Sequence, residues 1–300
     1  MKQQPPTTST TTRGFTLLEV LMAMGVFAIG FVFIAAIFPV AALLQKEAVD
    51  EVNAQQAARN TEAVITSVQA SYSSHLAGKL KTLIAGNGGF AQDQRVWALD
   101  DVAYNNSNTK WSASIRSFPT SVPSDTDRKF YWVPLVRDSN PDSGVTANDI
   151  YTYVFILQKR NGAIYPASPT IFSSFSYLCA SPSTESDLIP KVYAVKVTSI
   201  SNNTIKFRDT DFNGSTISYD TPQQLDVGDQ FLDNNGTIYT VSDYDMDANT
   251  ITVDGILLPT PNAIDTIWFA SPGEDADTPG YPSGKSSPTM DILILTEVIK

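Results

Sequence analysis

The sequence predicts an α+β fold. A long N-terminal helix, membrane-spanning over its first half, packs on an antiparallel β-sheet head that carries an inserted small β-barrel or sandwich. Three observations carry this expectation. Residues 15–44 hold thirty positions with a single charge, Glu19. Residues 45–85 continue with apolar residues spaced by three and four, as on one face of a helix. Beyond residue 86 short aromatic and β-branched runs alternate with Asn, Asp, Gly and Pro clusters, the pattern of strands and turns. The expected order is a polar segment at 1–14, the helix at 15–85, a β head at 86–190, a β-subdomain at 191–270, and a loop with a closing strand at 271–300.

A helix over residues 15–44 would rise about 45 Å, enough to cross the roughly 30 Å hydrocarbon core of a bilayer. The run is too long for a secretory signal, and no small-residue cleavage site follows it. Pro39 lies inside and is expected to kink or locally melt the helix. Lys2 and Arg13 precede the span, whereas Lys46, Glu47, Asp50 and Glu51 follow it, so the basic flank stays in the cytoplasm and the bulk of the chain lies outside. A carboxylate in such a span is disfavoured by about 2.5–3.5 kcal/mol near the bilayer centre, and less near an end. Glu19 therefore calls for a partner.

The amphipathic part begins with Val49, Val52, Ala54, Ala57 and Ala58, and continues with Ile65, Val68, Tyr72, Leu76, Leu80 and Leu83. Gly78 weakens it, and Gly86-Asn87-Gly88-Gly89 ends it. Residues 129–137 and 150–160 are the clearest strands, joined by the turn-rich DSNPDSGVTAND. Further strands are expected at 191–200, 203–208, 229–234, 236–243 and 249–254. Their close spacing suggests a small antiparallel barrel or sandwich. After a Pro/Gly-rich loop, MDILILTEVI returns as a continuous apolar strand at 290–299. It would complete the sheet packed on the helix if 191–270 is inserted; two β-domains in series fit the pattern nearly as well.

Gly14-Phe15-Thr16-Leu17-Leu18-Glu19, preceded by Arg13 and followed by the apolar run, resembles the processing site of type IV prepilins and type II secretion pseudopilins. The resemblance covers the first fifth of the chain. It implies cleavage between Gly14 and Phe15 by a prepilin peptidase at the cytoplasmic membrane face, N-methylation at Phe15, and an assembly role for Glu19. It also implies a pilin-like head outside the cytoplasmic (inner) membrane and, as partners, the peptidase/methyltransferase, other pilin or pseudopilin subunits and an inner-membrane assembly platform. In a filament the Glu19 carboxylate could neutralise the Phe15 ammonium of a neighbouring subunit, leaving neither charge unpaired in an apolar bundle. The run Ala28-Ile29-Gly30 is similar to the minor-pilin subgroup. The chain departs from the family where many members close a C-terminal loop with a disulfide, since Cys179 stands alone. Its Pro39 also falls later than the family's usual helix-breaking proline.

The formal charge of −11 becomes −13 once Lys2 and Arg13 leave with the leader. No run of Lys or Arg supplies an electrostatic footprint for nucleic acid. Asp209, Asp211, Asn213 and Asp220 match the oxygen spacing of a calcium loop, with Asp for the final Glu; a plain hairpin turn is the preferred reading, so no cofactor is expected. Asp243, Asp245 and Asp247 read as a solvated acidic edge before a metal site. The single histidine, His75, lies on the helix without a nucleophile-elbow context, and Cys179 reads as a small apolar residue. No catalytic residue emerges. The expected function is a minor pilin or pseudopilin subunit. The alternative is a membrane-tethered extracytoplasmic binding module or enzyme on a pilin-like anchor, since small β-barrels host many kinds of site.

Overall fold

The computed structural model describes residues 14–84 (67–84 as backbone), 96–98, 116–118, 128–138, 149–160, 162–166, 177–179, 186–207, 225–245, 248, 250–255, 264, 266–275 and 288–298. The chain has one long N-terminal apolar helix and antiparallel β-sheets, an α+β layout. It divides into two compact units, Met1–Val52 and Asn53–Lys300. Helix α1 runs from Leu17 to Ile84 without interruption. The local melting expected at Pro39 is therefore absent: losing one backbone donor does not break so long a run of i→i−4 bonds.

The strands are β1 (Val96–Ala98), β2 (Ser117–Phe118), β3 (Phe130–Asp138), β4 (Asp149–Gln158), β5 (Ala163–Ile164), β6 (Tyr177–Cys179) and β7 (Val192–Ser201). They continue with β8 (Thr204–Phe207), β9 (Gln230–Asp233), β10 (Ile238–Asp245), β11 (Thr250–Val253), β12 (Thr266–Ala270), β13 (Glu274–Asp275) and β14 (Thr289–Val298). One sheet has the order β1-β3-β4-β14, with β2 beside β3. Strands β3 and β4 are apolar over Phe130–Val136 and Tyr153–Leu157 because both their faces are covered there. Phe130, Trp132, Val154 and Ile156 form one core with Ala54, Ala57 and Ile65 of the helix. The alternate residues Val133, Leu135, Tyr153, Phe155 and Leu157 form another with Val192, Ala194, Leu232, Trp268 and Ala270. The period of two along each strand produces this partition. Pro134 is tolerated in the middle of β3 because, among the described residues, no strand pairs with that side there. The Trp132 amide donates to the Arg116 carbonyl beside β2 at 2.9 Å. Two residues on, Pro134 falls between the short strands β2 and β1, where no donor is needed.

Strands β7, β8, β11, β10, β9 and β12 pair in that order, and β12 pairs back with β7. The ring is therefore a closed six-stranded antiparallel barrel, with β6 alongside β7. Register shifts between Val197 and Ser199 and between Val241 and Asp243 supply the local bends that closure needs. Tyr193, Val195, Ile205, Phe231, Val241, Ile251, Val253, Ile267 and Phe269 fill the interior. Their sequence neighbours Val192, Ala194, Leu232, Trp268 and Ala270 point outward onto the first sheet. In chain order the barrel strands fall between β4 and β14, and β14 pairs with β4 over Thr289–Val298. The hairpins β7–β8 and β10–β11 stand side by side through the β8–β11 pairing. Asn202 turns the first of them at φ 55°, a left-handed conformation that asparagine tolerates better than most residues.

One polar junction joins barrel and sheet, and a second lies beside the separate β5–β13 pair. At the β9–β10 turn, Asp233 is buried and its Oδ1 accepts from the amides of Asn235 (2.9 Å) and Thr237 (2.7 Å). Gly236 in that turn has φ +85°, and a Cβ there would lie 2.1 Å from the Tyr153 hydroxyl. Tyr153 in turn hydrogen-bonds Arg137 of β3. Burial pushes the Asp233 carboxyl above its ordinary 3.8, against the lowering pull of the two amides and of Arg137. At the second junction β13 pairs with β5. Beside it the fully buried Lys191 ammonium donates to the carbonyls of Tyr165 and Ser186 (3.0 Å to the latter) and lies 3.5 Å from Asp187. Burial also pushes the Tyr165 hydroxyl up to about 12.

Candidate functional site: the N-terminal segment

The structure places Gly14, Phe15 and Thr16 ahead of the helix, all exposed, with Phe15 87% accessible. The peptide bond between Gly14 and Phe15 thus lies outside the helical hydrogen-bond ladder. Thr16 explains why the helix starts where it does. Its carbonyl accepts the first helical bond, from the Val20 amide at 3.3 Å. Its Oγ1 accepts from the Glu19 amide at 3.3 Å, while the Glu19 carboxylate accepts from the Thr16 amide (2.9 Å) and hydroxyl (3.0 Å). This is a reciprocal capping box. Sequence reasoning sought a partner for Glu19 outside the subunit and missed the one three residues away, although Thr-x-x-Glu ahead of an apolar run is its readable signature.

The box uses atoms of Thr16 and Glu19 only, so cleavage between Gly14 and Phe15 leaves it intact. A carboxylate offers about four lone-pair sites, and Thr16 occupies part of that capacity. The rest of the segment is a surface of exposed apolar side chains, from Leu17 through Phe27, Phe31 and Phe38 to Leu44. By length and composition α1 can cross a membrane.

The other candidate residues do not join this site. Asp209, Asp211, Asn213 and Asp220 lie outside the described residues, as does Asp247, and so do the side chains of His75 and Cys179. Asp243 and Asp245 are exposed and accept from the amides of Tyr244 (2.9 Å) and Ala248 (3.0 Å), ordinary turn chemistry. Among the described residues no group of three or more His, Cys, Asp or Glu side chains is placed to hold a metal ion.

Residues 10–35 match the family model described as the prokaryotic N-terminal methylation motif. That motif is the signature of type IV pilins and pseudopilins, to which the chain is similar over these residues. It implies processing by a prepilin peptidase and assembly with other pilins. No match to the chain was found among curated proteins or solved structures.

Proposed function

We propose that this chain is a minor pilin or pseudopilin. In this reading the precursor waits in the cytoplasmic membrane with its head outside and is cut between Gly14 and Phe15. It then enters a type IV pilus or a type II secretion pseudopilus by packing its N-terminal helix among those of other subunits. The observation that carries the reading is the juxtaposition of an accessible Gly14–Phe15 bond, the carboxylate of Glu19 one helical turn inward, and an apolar surface with no further charge up to Leu44. In the membrane, the capping box holds Glu19 without a second subunit. In the filament, its carboxylate can also receive the ammonium of a neighbour's Phe15, which would otherwise be buried unpaired at a cost of about 3–5 kcal/mol. The β-rich head is the displayed, partner-contacting part, and the reading assigns it no catalysis.

Glu19→Leu tests this. It makes the helix more apolar, so membrane insertion is retained, but the neighbour's ammonium loses its partner. Cells lacking the wild-type chain should hold the variant in the membrane pool and incorporate it poorly into sheared filaments. Glu19→Asp, with charge but shorter reach, should fall between. Equal incorporation of Glu19→Leu and wild type would refute the pairing role, provided copy counting places the subunit along the filament and not at its tip.

A further inference from the structure

We propose that the outer edge of β14 is a docking site for an extended segment of a different protein chain, an apolar strand carrying Lys or Arg at two positions six residues apart. Strand β14 ends its sheet, with β4 on one side, and among the described residues no strand pairs with its other edge. Exposed strand edges invite pairing with another chain, and proteins blunt them with Lys, Pro, bulges or short strands. This edge lacks most of those devices. It is ten residues long and holds no Lys or Pro from Thr289 to Val298. Its only register shift lies at the start, between Thr289 and Asp291. At its centre stand four consecutive apolar residues, Ile292–Leu295, of which Ile294 is 52% exposed; Met290 is 39% exposed. The opposite side of the sheet differs, because β3 is flanked there by β1 and β2.

The charges on β14 select the occupant. Asp291 is exposed, and Glu297 follows six positions later. In a symmetric antiparallel pair of two copies centred on Ile294, Asp291 of each copy would stand opposite Glu297 of the other, and like charges directly opposite are destabilising. Two processed copies, each of formal charge −13 after losing Lys2 and Arg13, also repel at longer range. A foreign strand with cations six residues apart places one opposite Asp291 and one opposite Glu297. Its central apolar residues then cover Ile294 and its neighbours. Main-chain pairing supplies affinity and the side chains supply selection, as in β-augmentation generally. The proposal does not depend on filament assembly, and its test can fail or succeed whatever the fate of that reading.

The test uses the full-length chain in detergent micelles and a seven-residue peptide, Lys-Thr-Val-Xaa-Val-Thr-Lys with capped ends, where Xaa is photoreactive benzoylphenylalanine. Cross-linked sites are mapped by mass spectrometry. The expected adducts fall within residues 290–298. A twin peptide with Glu for both Lys residues should label at least about twofold less, since each of the two opposite-charge pairs changes affinity roughly 1.4- to 5-fold. Asp291→Lys should narrow or invert that preference, and Ile294→Lys should remove the labelling. Both positions are exposed, so both variants should melt like the wild type. Equal labelling by the two peptides, adducts mainly elsewhere, or no adducts above a scrambled peptide would overturn the proposal. So would a dimer of the chain, seen by light scattering, that Ile294→Lys dissolves.

Discussion

Replacing Gly236 with alanine should destabilise the head more than a substitution at a hairpin tip ordinarily does. Two costs add. The residue sits at φ +85°, where an L side chain is strained by about 1–2 kcal/mol. The new Cβ would also stand 2.1 Å from the Tyr153 hydroxyl oxygen and 2.8 Å from its Cζ, well inside any contact a real Cβ tolerates. The tyrosine cannot readily move aside, because it is 3% exposed and its hydroxyl is tied to Arg137. Forcing a methyl group into such a site typically costs about 1–3 kcal/mol. A total near 3 kcal/mol corresponds to a fall of roughly 6–12 °C in the melting temperature of a unit this size. The assay is thermal unfolding of the full-length chain in detergent, followed by tryptophan fluorescence. The same substitution in a Tyr153→Phe background separates the two costs: without the hydroxyl oxygen, the penalty should shrink by about 1 kcal/mol or more. A melting temperature within a degree or two of wild type, or an undiminished penalty in the Tyr153→Phe background, would refute the close packing of the β9–β10 turn on the sheet.

Other outcomes follow from the two junctions. Lys191→Met leaves the carbonyls of Tyr165 and Ser186 without the buried ammonium and should cost about 2–4 kcal/mol by denaturant titration; an unchanged midpoint would contradict the clamp. Burial holds Asp233 above its ordinary 3.8. Between that value and the raised one the folded chain retains a proton that the unfolded chain has lost, so this group's contribution makes stability fall as pH rises through the window. Asp233→Asn keeps an oxygen for the Asn235 and Thr237 amides but cannot titrate, and should flatten that part of the stability–pH curve. A slope identical to wild type would show that Asp233 is not its source.

The elements legible in the sequence are those in which one residue pattern serves one environment. The apolar run ahead of Leu44 reads as a helix because nothing else hides thirty uncharged positions but one. Strands β3 and β4 read directly because burial on both faces makes their central runs rich in aromatic and β-branched residues, and the asparagines near 202 and 234 mark real hairpin turns. The closure of the barrel was not legible. It depends on β12, Thr266–Ala270, a five-residue run without alternation whose partners β7 and β9 lie far away in sequence. Lys191 was invisible for a related reason: a buried lysine looks like a surface one until the distant carbonyls that satisfy it are placed. In the N-terminal segment the motif points to Gly14, Phe15 and Glu19, while charge alone gives no sign of Thr16, whose role is a hydrogen bond.

The mass of the native N-terminus tests the account most directly. The protein is extracted from the membranes of the cells that make it and its N-terminal peptide is measured intact. The account predicts a chain that begins at Phe15 and carries one added methyl group on its α-nitrogen, with Met1–Gly14 absent. A chain that still begins at Met1, or one cut at any other bond, would contradict it.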